Sequence, residues 1–290
     1  MFKRYQKPPS DATRPSNPAI PKESTASSKP TVGRARSKDG TKPPEREKWF
    51  SKYADAGFRK YVIPVIPPSA KLSPHSNLNV VHLGKIPGKR KTDGTWAGYH
   101  NWTDLKTTPA KIERWDSWGD ASVGMRTGEI VGVDIDIMHD GLADKVERLT
   151  RSILGDARVR IGQAPKRLLV YRTPTPMNKI VVDYLHSATD DEQKLEILGD
   201  GQQFVVEGIH PKTGKPYTWP RGRMTSFDNL TEITQDQINK YVNAVTTLMA
   251  DTGYDVKSAQ RSSGTSGRQL IIGHQELMGD PDLVRKALQL

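Results

Sequence analysis

Gly128-Glu-Ile-Val-Gly-Val-Asp134-Ile-Asp136-Ile137 is a run of β-branched residues interrupted by two acids spaced two apart. β-Branched side chains favour extended backbone. In a strand, alternate side chains point to opposite faces, so Val131, Val133, Ile135 and Ile137 share one face and Gly132, Asp134 and Asp136 the other. The two carboxylates then point the same way, roughly 7 Å apart at Cα. Like charges at about 4 Å repel by roughly 4 kcal/mol at an effective dielectric near 20, so a cation is expected beside them. An Asp-x-Asp pair by itself also occurs as a plain polar strand face, in sugar-nucleotide transferases and in nucleases.

Outward from this strand the chain reads as α+β. Short strands are expected at residues 122–126, 158–161, 168–172, 179–184, 194–198 and 203–206, with a helix over 142–154. Thr107-Thr108-Pro109 opens an earlier helix, with Thr as cap and proline in the first turn. Thr234-Gln-Asp-Gln237 is a capping box for a helix to Ala250, whose stripe is Ile238, Tyr241, Val242, Val245, Leu248 and Met249. Before the strands, residues 47–58 read as an amphipathic helix, 61–66 as an apolar strand, and 67–103 as loop. Gly84-Lys-Ile-Pro-Gly-Lys-Arg-Lys91 within that loop packs four cations near glycines, which could bring backbone amides and ammonium groups to phosphates; taken alone it reads as a solvated basic stretch, because no Gly-Lys-Ser/Thr opens a helix as a P-loop requires. Residues 251–267, rich in Ser, Gly and Lys/Arg, read as a linker. A helix is expected from Leu283 to Leu290; its abrupt end predicts that more protein follows.

Composition narrows the partners. The 290 residues are 34% hydrophobic, enough for a core, and no apolar run is long enough for a membrane span. Without cysteine there are no disulfides or thiolate zinc sites, which fits a reducing, cytoplasmic setting. The net charge is +11, and residues 1–46 hold eleven Lys/Arg against four Asp/Glu. Those 46 residues also carry eight of the 21 prolines and little aliphatic periodicity, so they are expected to form a disordered basic tail. The remaining body, only +4, is mildly basic.

Further residues can join the two aspartates. Lys194-Leu-Glu-Ile-Leu198 presents Glu196 opposite to Leu195 and Ile197, offering a third carboxylate from a hydrophobic bed. Three hard oxygen donors suit Mg²⁺ or Mn²⁺. Arg160-Ile-Gly-Gln-Ala-Pro-Lys166-Arg167 leads through a Gly/Pro turn into a strand with cations at its start; a plain surface turn would look the same. His210 stands between a strand and a Gly-Lys turn.

In this order the segments resemble the bifunctional primase-polymerase domain of the archaeo-eukaryotic primase superfamily, found in replication proteins of phages and plasmids. The resemblance runs from about Trp49 to Trp219. It rests on Gly128 to Asp136 with the preceding Ser122-Val-Gly-Met-Arg-Thr, on Leu195-Glu196-Ile197 with Gly199-Asp-Gly, and on Val205 to Trp219 with its His-Pro and Gly-Lys-Pro-Tyr-Thr-Trp. The resemblance implies an RRM-like antiparallel or mixed sheet with a smaller amino-terminal αβ unit, a catalytic domain over 47–250, and the start of a carboxyl-terminal helical region in 251–290. It also implies template-directed nucleotidyl transfer, with Asp134, Asp136 and Glu196 as catalytic metal ligands for Mg²⁺ or Mn²⁺. Lys166, Arg167 and His210 are then nucleotide contacts, and single-stranded DNA and nucleoside triphosphates the partners, with a helicase or carboxyl-terminal primase region as a further one. The family's middle motif ends in a histidine that Pro165 to Tyr171 lacks, so the resemblance implies either that Lys166 or Arg167 takes that phosphate contact or that this copy is catalytically weak. A non-catalytic single-strand-binding replication module and a metal-dependent nuclease are the rival readings.

Overall fold

A computed structural model describes residues 47–262, 269–271 and Arg285. The basic tail and, Arg285 apart, the expected terminal helix lie outside the described residues. Helix α1 (Trp49–Tyr53) runs on through a π-helical turn in which Gly57, at φ 88°, takes the left-handed conformation that glycine adopts without penalty. There follow β1 (Val62–Val65), β2 (Gly88–Arg90), β3 (Trp96–Gly98), α2 (Pro109–Asp116), β4 (Ser122–Arg126), β5 (Ile130–Asp136) and α3 (Asp140–Leu154). The chain continues through β6 (Arg158–Arg160), β7 (Arg167–Arg172), β8 (Lys179–His186), β9 (Glu192–Leu198), β10 (Gln203–Glu207), α4 (Gln235–Asp251), β11 (Tyr254–Ser262) and β12 (Gln269–Ile271).

Seven strands form the main sheet in the order β12-β11-β8-β9-β5-β7-β6, and β1-β4-β10 form a second. Every ladder between these strands is antiparallel. The architecture is α+β, as the strand pattern predicts. Val131, Val133 and Ile135 on β5, with Ile137 just after it, are fully buried in a core shared with Leu142, Val146 and Leu149 of α3 and with Ile238, Tyr241 and Val245 of α4. The opposite face is divided. At one end Ile130, Leu168, Val170 and Leu198 pack into a second core with Phe58, Ile63, Met125 and Phe204. At the other end stand Asp134 and Asp136, left uncovered by that packing.

The helix starts follow the local chemistry. Thr108 accepts from Lys111 N–H ahead of Pro109, and Thr234 with Gln237 forms the reciprocal capping box. Helix α3 begins two residues earlier than the periodicity predicts, because the His139 ring accepts from Leu142 N–H and caps it.

Two segments correct the sequence reading. Residues 67–103 are not only loop: β2 and β3 pair as a hairpin, with fully buried Trp96 anchoring it beside Ile66 and Leu83. Residues 251–267 do not form a linker throughout, since Tyr254–Ser262 is a nine-residue strand paired to β8. A strand needs only one apolar face against the helices, and here Tyr254 and Ala259 supply it while the intervening polar residues mask the pattern.

Candidate active site

The register assembles the acids. Asp134 lies directly opposite Glu196 on β9, and Asp136 opposite Lys194. Directly opposed residues share a face, with Cβ atoms about 5 Å apart. On the other side Asp134 opposes Leu168, which in turn opposes Arg160 on β6. One row across the sheet therefore reads Arg160, Leu168, Asp134, Glu196. The next row holds Asp136 and Lys194, with Lys194 turned to Asp183 at 3.6 Å.

Cations meet the carboxylates from the edges. Lys166, in the turn leading to β7, forms an ion pair with Asp136. That Asp136 Oδ1 is buried and has no hydrogen-bond partner apart from this ion pair. Lys179 Nζ stands 3.2 Å from Glu196 Oε1. Asp134 is pushed up to about 6: burial is the main cause, the Glu196 and Asp136 charges add to it, and Arg160 and Lys85 oppose it.

Arg160 ties the main sheet to the smaller one. Its guanidinium donates to Val205 O at 2.6 Å and lies over the Tyr217 ring at 4.6 Å. His210 is buried against Tyr217, edge to face at 5.4 Å. Its Nδ1 accepts from Thr213 N–H at 3.3 Å, which leaves the proton of the neutral ring on Nε2. Burial first, then Lys85, Arg160, Lys212 and Lys166, hold the imidazole below its ordinary pKa, so the ring stays neutral. Gly162 makes this packing fit: a Cβ there would lie 2.5 Å from Tyr217 Cε1 and 2.7 Å from His210 Cδ2.

The result is a cleft of about 240 Å³ whose floor holds Asp134, Asp136 and Glu196 and whose walls hold Lys85, Arg160, Lys166, His210, Lys212 and Tyr217. All six residues named from sequence line this cleft. Arg167 stands at its margin: it opposes Ile135, on the helix-facing side of the sheet, and its guanidinium pairs with Glu147 at 2.5 Å and Asp144 at 2.9 Å on α3. Three cations were missed. Arg160 could have been found by alternation, as the polar partner of Arg158 across Val159. Lys212 lies in the His-Pro turn, and Lys85 belongs to the glycine- and cation-rich stretch 84–91, whose approach to the cleft depends on the hairpin docking on β1.

Among the described residues no group of three His, Cys, Asp or Glu side chains stands arranged to hold a metal ion. Lys166 and Lys179 take up two of the three carboxylates. The donor chemistry nonetheless fits a hard divalent cation: three carboxylates on adjacent strands, oxygen only, with a buried Asp136 oxygen satisfied by a cation alone.

The family model described as bifunctional DNA primase/polymerase, N-terminal, matches residues 30–235. No curated protein matches the chain.

Proposed function

Because the chain belongs to the bifunctional DNA primase/polymerase N-terminal family, we propose that the acidic cleft carries out template-directed nucleotidyl transfer. A 3′-hydroxyl attacks the α-phosphorus of a nucleoside triphosphate, the α–β bridging bond breaks, and pyrophosphate leaves. Mg²⁺ or Mn²⁺ held by Asp134, Asp136 and Glu196 would acidify that hydroxyl and offset phosphoryl charge. The observation that carries this reading is the register itself, which sets Glu196 directly against Asp134 with Asp136 on the same face, under a rim of cations.

The chain's own groups have separable tasks. Lys166, paired with Asp136 at the entrance of β7, lines the cleft where it would meet the triphosphate. Arg160, Lys85 and Lys212 balance the charge of the phosphates and of departing pyrophosphate. His210, neutral and fixed by Thr213, donates from Nε2 to a substrate oxygen without changing charge near neutral pH. Arg167 has no such task, being bound to α3. We further propose a cytoplasmic setting and service in replication of a phage, plasmid or prophage, with a helicase as partner.

The test is primer synthesis and extension on single-stranded DNA with Mn²⁺ or Mg²⁺. Asp134→Ala plus Asp136→Ala is expected to lose more than ~100-fold, the scale on which a preorganised electrostatic group acts. Equal activity in both proteins rejects the proposal. Shortening of labelled DNA without nucleotides would point instead to a nuclease. The lysines on Asp136 and Glu196 favour one second reading, a non-catalytic single-strand-binding module. Calorimetry separates the two, since that module binds DNA but shows no Mg²⁺-dependent nucleotide binding.

A further inference from the structure

The body's positive charge is concentrated in one segment. Residues 56–92 contain seven Lys/Arg and no Asp or Glu, so the rest of the body is net negative. Within this segment, the turn Val80–His82 and the β2–β3 hairpin form one structural piece beside the cleft. Asn79 Oδ1 accepts from Val81 N–H at 3.0 Å and shapes the turn, whose Val80 and Val81 are 67% and 70% exposed. Two neighbouring valines this exposed form a small apolar patch that the described residues leave uncovered.

The piece is held firmly at its base. Gly84 N–H donates to Ile66 O at 2.8 Å, and a Cβ on Gly84 would press on Pro68 and on Pro211, the residue after His210. Gly88 lets the hairpin approach Ile66, where a Cβ would come within 2.2 Å of Cγ1. Gln203 Nε2 donates to Lys85 O at 2.5 Å, setting Lys85 on the wall of the cleft. Beyond it Lys89, Arg90 and Lys91 are exposed. Arg90 has Asp120 only at 4.0 Å.

We infer that residues 79–91 are the docking surface for single-stranded nucleic acid: bases rest on Val80 and Val81, and phosphates on Lys89 and Arg90, with Lys85 as the last cation before the acids. The charge complementarity and the continuity of this stripe with the cleft choose the occupant, because a polyanion with apolar faces satisfies both halves of the surface. The assignment rests on the proposed nucleotidyl transfer for its direction toward the cleft, but the contact surface is testable alone.

Anisotropy of a labelled 20-nucleotide oligo(dT) against the full chain, from 50 to 200 mM NaCl, reads both halves separately. Lys89→Ala plus Arg90→Ala is expected to reduce the slope of log affinity against log salt by about 1.4, or 0.7 for each phosphate contact on a single strand. Val80→Ser plus Val81→Ser is expected to weaken binding several-fold with the slope unchanged. Both positions are exposed, so the variants fold, and nucleotide binding without DNA should match wild type. Unchanged DNA affinity and slope in both variants overturn the inference. So does a wild-type dimer that becomes monomeric in the valine variant with unaltered DNA binding, which makes the patch a contact between copies. Failure of wild type to extend primers while these shifts persist would reject the catalytic proposal and keep the surface.

Discussion

Asp134 carries an ionisation cost that its neighbours only partly offset, and its pKa of about 6 against an ordinary 3.8 expresses it. A carboxylate raised in the folded state binds more protons folded than unfolded between those two values, so its contribution to stability falls as pH rises through that window. Asp134→Asn removes the cost. In EDTA at pH 7 the variant is expected to be more stable by about 1–3 kcal/mol, with a flatter stability profile between roughly pH 4 and 6. Thermal melts across that range check this, and a variant less stable than wild type contradicts it. That the two aspartates share a face was legible from alternation alone. That Lys166 reaches Asp136 while Arg167 turns to α3 follows from the same alternation, once β7 is known to begin at Arg167 and to oppose Ile135. Single residues do not announce such boundaries.

At the level of elements, strands and helices with a strong apolar period were legible, and so was the Thr234 capping box. Thr234→Ala is expected to cost about 1 kcal/mol, read as a lower denaturant midpoint with an unchanged slope. The pairing of Asp134 with Glu196 was not legible, because register depends on turns and on partners distant in sequence. The β2–β3 hairpin and β11 were missed for a related reason: one is very short and the other has a largely polar composition, so neither shows a period. Gly162 shows how an element edge controls the site. Gly162→Ala sets a methyl against Tyr217 and His210, and is expected to destabilise by about 1–3 kcal/mol and to weaken triphosphate binding. Calorimetric titration with a nucleoside triphosphate and Mn²⁺ checks it; wild-type affinity would mean that His210 and Tyr217 do not face the nucleotide.

Across the whole molecule, composition and strand count were enough for the α+β class, but they could not show which face of the main sheet stays open. That is decided by the smaller sheet, which covers Ile130 and Val170 and stops short of Asp134. Charge is divided too, with +7 of the +11 in residues 1–46. Deleting those residues is expected to lower single-strand affinity most at low salt and to flatten its salt dependence, while leaving primer extension at saturating DNA intact. Loss of extension at saturation would give the tail a part in the chemistry. The acids themselves are tested most directly by anomalous diffraction from crystals soaked with Mn²⁺ and a non-hydrolysable nucleoside triphosphate. Manganese peaks among Asp134, Asp136 and Glu196, with Lys166 moved from Asp136 to the phosphates, are the expected result. A cleft without manganese, in which Lys166 and Lys179 still hold Asp136 and Glu196, would contradict nucleotidyl transfer at this site.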